Sequence, residues 1–334
     1  MIVKSIEELI GNTPLFQFGQ FDGRGASIFG KLERFNPGGS VKDRLALAVL
    51  NDAESRGEIE PGSTIIECTS GNVGISFAML AAERGYNFVA VMGDTYSMER
   101  RQLLKAYGAQ LVLFPGKWGS EGGNQLADQL ASKHGWFRPF QFSNPANPWF
   151  HQQTTASEIL NALSRNRIDA FVAGVGTGGT VTGVARMLKQ ARPNVQIIAV
   201  EPENAAVLSG EEWNVHEIQG LAPNFIPTNL DLSVVDQVLP VSQEDARDAS
   251  LELASSFGIL SGISSGAALA AAKRVAETLP DEANVVTLLP DTGERYLSTY
   301  LFEEQVRSSN IDLSNFESVI ECVPFASEQL LRRI

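Results

Sequence analysis

In "FNPGGSVKDRLA", residues 35–46, a lysine stands three residues after a Gly-Gly pair, at the mouth of an apolar stretch. Asn36-Pro37-Gly38-Gly39 cannot continue a helix and Ser40 is a good N-cap, so a helix is expected to begin near Ser40. Lys42 then shares a face with Leu45, Ala46 and Val49, at spacings of three, four and seven. The first turn of a helix disfavours a cation, and so does burial. An amine so placed deprotonates more easily and becomes a nucleophile for a carbonyl. A lysine here can also snorkel to solvent or pair with an acidic residue, and this stretch alone leaves both roles open.

Three further stretches add partners. "IIECTSGNVGIS" at 65–76 reads as strand, polar turn and helix start. There Thr69, Ser70, Gly71 and Asn72 offer hydroxyls, an amide and backbone N–H groups suited to a carboxylate; Thr69 or Ser70 can equally cap the helix. "VAGVGTGGTVTGVARML" at 172–188 places Gly176-Thr177-Gly178-Gly179-Thr180 between an apolar strand and a helix. Its glycines let N–H groups approach a phosphate. It lacks the Gly-Lys-Ser/Thr of a P-loop, and a nicotinamide dinucleotide remains an alternative occupant. In "GILSGISSGAALAAA", 258–272, Ser264 and Ser265 precede an Ala-rich helix, where either can cap it or meet a ligand heteroatom. The four stretches together describe a ligand with a carbonyl, a phosphate and a polar ring atom, next to an amino-acid carboxylate. Pyridoxal 5′-phosphate, an electron sink bound through a lysine, meets each demand.

These groups need a scaffold, and the rest of the chain supplies one. Apolar runs at 26–32, 64–68, 88–92, 110–114, 169–175, 196–200 and 284–290 read as strands. Amphipathic runs near 41–55, 72–84, 97–107, 121–134, 179–191, 243–256 and 265–278 read as helices. Doubly buried strands alternating with helices predict an α/β fold of parallel βαβ units. "SNPANPW" at 143–149 is the best candidate boundary, which suggests two α/β lobes flanking a ligand cleft. The 334 residues carry a net charge of −13, an argument against nucleic acid or an anionic membrane as partner. Two cysteines without a CxxC argue against a disulfide framework or thiolate metal site. His134, His151 and His216 lack ligand spacing, so no metal is expected. The start "MIVKSIEELIGNTP" lacks a signal-peptide core and no run reaches a membrane span, so a cytoplasmic location is expected.

The chain closely resembles the cysteine synthases (O-acetylserine sulfhydrylases) among the fold-type II pyridoxal-phosphate enzymes, the cysteine synthase/cystathionine β-synthase family. The resemblance runs from "IGNTPL" at 10–15 to "GERYLST" at 293–299, through "NPGGSVKDR", "TSGNVG", "ERRQLLKAYGA", "QFSNPANP", "GVGTGGTVTG", "EPE", "IQGLAPNFIP" and "GISSGAA". It implies two lobes with mostly parallel twisted sheets and the cofactor between them. Residues 1–145 would form the first lobe, with part of 12–35 crossing over; 146–307 would form the second, and 308–334 an extension. It implies an imine at Lys42, Asn72 on the cofactor's ring oxygen, the phosphate at Gly176, Thr177, Gly178, Gly179 and Thr180, and Ser264 on the pyridine nitrogen. The turn of Thr69, Ser70, Gly71, Asn72 and Val73, with Gln141, would receive the substrate carboxylate. The implied reaction is β-replacement through an α-aminoacrylate, making L-cysteine from O-acetyl-L-serine and sulfide in a homodimer whose small domain closes. Another β-substituted substrate or nucleophile (O-phosphoserine, cystathionine or cyanoalanine chemistry), and a catalytically weak sensor, are the alternatives. Departures keep them open. Val73 replaces a common threonine, Gly93, Asp94 and Tyr96 alter a loop, and Trp118 and Glu121 stand where smaller or basic residues are frequent. Asp291 stands where serine is common, with its role open.

Overall fold

The computed structural model describes residues 2–69, 71–94 and 98–307. Its first unit runs to Arg295 and is organised around two sheets. The strands are β1 (Leu15–Gly19), β2 (Ser27–Leu32), β3 (Thr64–Cys68), β4 (Asn87–Gly93), β5 (Gln110–Phe114), β6 (Ala170–Gly174), β7 (Gln196–Pro202), β8 (Gln237–Val241) and β9 (Asn284–Leu289). Six of them form one sheet in the order β1-β2-β9-β6-β7-β8; the other is β3-β4-β5. Every pairing is parallel except β1 with β2. Apolar residues such as Val285, Val286 and Phe171 are buried because helices cover both faces of a parallel sheet.

The helices are α1 (Lys42–Ser55), α2 (Asn72–Arg84), α3 (Met98–Ala106), α4 (Gly119–His134), α5 (Ala146–Gln153), α6 (Thr155–Ala162), α7 (Gly179–Ala191), α8 (Gln243–Phe257) and α9 (Ile263–Thr278). The seven strands and seven helices expected from patterning are present. Two strands and, of these nine helices, α5 and α6 escaped it, as did a further helix after Tyr296. β1 and β8 are the outer strands of the large sheet, where half-buried residues blur the alternation. β8 even contains Pro240, which an edge strand tolerates because one side needs no N–H. Helix α5 starts inside "SNPANPW", with Pro148 in the first turn, where a missing N–H costs no helical bond. It packs against α1 and α7. The second unit begins at Tyr296 and contains α10 (Tyr300–Arg307). The tail 308–334 lies outside the described residues, and among these no helix is long and apolar enough to cross a membrane.

Helix α1 is fixed by a buried ion cluster. Arg44 donates to both oxygens of Glu33, at 2.7 and 2.9 Å, and to both oxygens of Glu158, at 2.7 and 2.8 Å. Lys31 pairs with Glu158 at 2.6 Å and donates to Thr13 O. Glu33 also accepts from Thr13 Oγ1 and Asn36 Nδ2. These charges hold Glu158 down at about 2 and keep Glu33 below the usual carboxylate range despite its burial. Removing one partner from such a site leaves an uncompensated buried charge. Arg44→Met should therefore lose about 3–5 kcal/mol of stability, read as a lowered midpoint of urea unfolding.

Candidate active site

The strands of both sheets end at the site, as expected where loops leave the carboxyl edge of parallel strands. From β3 the chain enters Thr69 and Gly71–Val73; Ser70 lies outside the described residues. Thr69 Oγ1 accepts from Gly71 N at 3.3 Å and from Gly74 N at 3.1 Å, so it caps α2. The hydroxyl proton stays available to a ligand. The N–H groups of Asn72 and Val73, in the first turn of α2, have no intrahelical acceptor and join it as donors. The Val73 side chain turns into the core with Ile75 and Phe77 and offers the site no hydroxyl. Gln141 Nε2 donates to Cys68 O at 3.1 Å, which seats Gln141 beside this turn. Burial pushes the Cys68 thiol up to about 12, so it is no nucleophile at neutral pH.

Lys42 opens α1, with Leu45, Ala46 and Val49 buried on its face. Ser40 Oγ accepts from Lys42 N at 3.3 Å, although Val41 holds the cap position. Among the described residues no hydrogen bond or ion pair engages the Lys42 amine. Desolvation lowers its pKa, and the nearby Asp291 charge partly restores it. The segment following β9 ties the region together. Val41 N donates to Pro290 O, Ser40 pairs with Asp291, Thr292 N donates to Gly39 O, and Gly293 N donates to Leu260 O. Asn72 joins the same segment through Asp291 Oδ2, at 2.6 Å.

Between β6 and α7, among the described residues no turn bond takes the N–H groups of Gly176, Thr177 or Gly178, and those of Gly179 and Thr180 lie in the first helical turn. A Cβ at Gly176 would sit 2.2 Å from Gly220 O, and one at Gly179 would sit 2.1 Å from Asn147 Oδ1. Gly178 adopts φ +80°, a left-handed conformation suited to glycine. Thr177 Oγ1 accepts from Asn147 Nδ2 at 3.0 Å, and Thr180 Oγ1 meets His151 Nε2 at 3.2 Å. Burial, helped by the Arg44 charge, drops His151 to about 3, so its ring is neutral. Ser264 and Ser265 lie in the first turn of α9, behind Gly262 in the cap position; neither caps the helix. Among the described residues Ser265 Oγ is buried without a hydrogen-bond partner, and the Ser264 hydroxyl also has none.

Sequence patterning picked out Lys42, Thr69, Ser70, Gly71, Asn72, Gly176–Thr180, Ser264 and Ser265, and the resemblance added Val73 and Gln141. It gave no role to the residues that join them: Asn147 and Arg295 went unnoticed, His151 was read only as no metal ligand, and Asp291 stood out with its role open. Of the altered positions, Asp94 Oδ1 accepts from Gly116 N and Trp118 stacks on Phe114, while Glu121 accepts from Gln125. Tyr96 lies outside the described residues.

The family model of the pyridoxal-phosphate dependent enzymes matches residues 6–291. O-ureido-L-serine synthase of Streptomyces lavendulae is 57% identical over 302 residues, 90% of this chain and 93% of that protein. A cysteine synthase of Staphylococcus aureus is 49% identical over 301 residues, 90% and 97% of the two chains. A crystal structure of O-ureido-L-serine synthase superposes with a TM-score of 0.88 at 56% identity, over 91% of this chain and 96% of that one.

Asp43, next to Lys42, is buried, and that burial pushes it up to about 6 although Ser76 Oγ and Gly38 N donate to it. Raised above the unfolded value of 3.8, it binds its proton more tightly in the fold. Its contribution to stability is therefore full below about pH 4 and is lost as pH rises through about 6. A carbon-detected carboxyl titration should place its midpoint near pH 6, and Asp43→Asn should remove this part of the pH dependence of unfolding.

Proposed function

The chain belongs to the pyridoxal-phosphate dependent enzymes, in the cysteine synthase branch of fold type II, and we propose that it makes L-cysteine from O-acetyl-L-serine and sulfide. The unpaired, desolvated Lys42 amine carries this reading. The residues around it fit the cofactor. Among the described residues no turn bond takes the N–H groups of Gly176, Thr177 or Gly178, the chain packs too closely on Gly176 and Gly179 to admit a Cβ, and the Ser264 and Ser265 hydroxyls have no hydrogen-bond partner.

Pyridoxal phosphate, when bound, supplies an electron sink for charge at the substrate α-carbon. Gly176 to Thr180 would hold its phosphate, Ser264 its ring nitrogen and Asn72 its ring oxygen. Ser264 offers a neutral hydroxyl, in contrast to an acidic partner, which suits elimination and addition better than transamination. Lys42 Nζ, whose proton burial loosens, would take the α-proton and later return it. The Thr69 hydroxyl, the first-turn N–H groups of α2 and Gln141 would orient the substrate carboxylate, fixing the α C–H bond in line for removal. The lobes 1–145 and 146–307, a homodimer and a cytoplasmic location form part of the same proposal.

A second reading takes hydroxyurea in place of sulfide, its oxygen displacing acetate to give O-ureido-L-serine. The 57% identity to O-ureido-L-serine synthase favours it.

Purified protein should be yellow and should convert O-acetyl-L-serine with sulfide to L-cysteine, whereas Lys42→Ala should lose both colour and turnover. Product analysis with sulfide and hydroxyurea in competition separates the readings: dominant O-ureido-L-serine replaces the first by the second. A spectrum that no amino acid alters would sink both. Gly176→Ala should weaken cofactor affinity roughly ten- to a hundredfold, as expected of about 1–3 kcal/mol of overpacking, measured by fluorescence titration of the apo-protein.

A further inference from the structure

The amide of Asn72 is held between opposite charges. Its Nδ2 donates to Asp291 Oδ2 at 2.6 Å, and its Oδ1 accepts from Arg295 Nη1 at 2.5 Å. Arg295 also donates to Gly38 O, in the loop that leads into α1. Asp291 is 1% exposed and pairs through its backbone with Ser40. An ionised carboxylate only accepts and a guanidinium only donates. Turning the amide over would set its oxygen against the carboxylate and its N–H against the guanidinium. Two charge-assisted hydrogen bonds would become two repulsive contacts. The charges therefore admit one orientation of the amide, with one N–H spent on Asp291 and the oxygen on Arg295. The second N–H is what remains for a ligand.

On the reading of the site given above, we infer that Asp291 and Arg295 are positioning residues that lock Asn72 as a hydrogen-bond donor toward the cofactor's ring oxygen. Donation favours the ionised form of that oxygen. Asp291 has a separate effect on Lys42, whose proton affinity its charge supports against burial. The two charges thus share one task at Asn72, and Asp291 alone has the other.

The test compares Asp291→Asn, Arg295→Gln and the double variant as holoenzymes and as apo-proteins. Each single change should weaken cofactor affinity about tenfold, the scale of one charged hydrogen bond. The double variant should bind no more weakly than the poorer single, because one amide is released only once. The pH at which the holoenzyme's visible band changes should move in all three, and Asp291→Glu should restore it in part. In the apo-protein, acylation of Lys42 by a neutral reagent at pH 7 should quicken in Asp291→Asn and stay unchanged in Arg295→Gln. Wild-type affinity in either single variant, or losses that multiply in the double variant, overturn the inference. Should the Asn variant unfold, exchange of the Asn72 side-chain N–H groups in asparagine-labelled wild-type apo-protein decides: slow exchange supports the clamp, and averaged, rapid exchange overturns it. A wild-type apo-protein that takes up no pyridoxal phosphate overturns the reading of the site itself.

Discussion

Arg44 spends its guanidinium on Glu33 and Glu158 in the interior, and Lys42 stands two residues before it on the same helix. Burying charges costs desolvation that their attraction only partly returns, so the cluster is poorly explained as a source of stability. Its effect is geometric. Glu33 follows β2 and Glu158 belongs to α6, so α1 is pinned to the large sheet and to the helices beside it. With Lys31 and Thr13 completing the set, each buried charge has partners, and the start of α1 has little freedom to slide. The Lys42 amine inherits that fixity while pairing with nothing itself among the described residues.

From this anchor two chains of contacts reach the rest of the site. One is the segment 290–293, whose backbone meets the Ser40 region and the loop before α9, and whose Asp291 meets Asn72. The other runs from Cys68 O through Gln141 to Asn147, whose amide donates to Gln141 O and to Thr177. Neutral His151 adds a contact from α5 to Thr180. The groups proposed to meet carboxylate, phosphate and ring atoms are thereby indexed to one another. Such support makes positions reproducible to the fraction of an ångström that catalysis needs.

Local sequence exposed the parts and concealed their joints. Gly176 to Thr180 and the turn after Cys68 stood out because glycines and hydroxyls between a strand and a helix suit an anion, a role that capping by Thr69 shares. Lys42 could be read because Leu45, Ala46 and Val49 repeat at helical spacing. Asp291 and Arg295 meet Asn72 across 219 and 223 residues, and no short window contains both ends of those bonds. Asn147 lies in the stretch 143–149, whose prolines read as a boundary, and His151 just beyond it, although Pro148 is harmless in the first turn of α5. β1 and β8 were missed for a related reason: patterning registers burial on both faces, and an edge strand has less of it.

The turn after Cys68 hangs from the three-stranded sheet, whereas the 176–180 loop and the 290–293 segment hang from the six-stranded one. Apart from contacts such as Asn72 with Asp291 and Gln141 with Cys68, the two sets of groups are carried by separate frameworks. On the proposed reading, a shift of the smaller sheet would carry the substrate turn and Asn72 with it and leave the 176–180 loop where the larger sheet holds it.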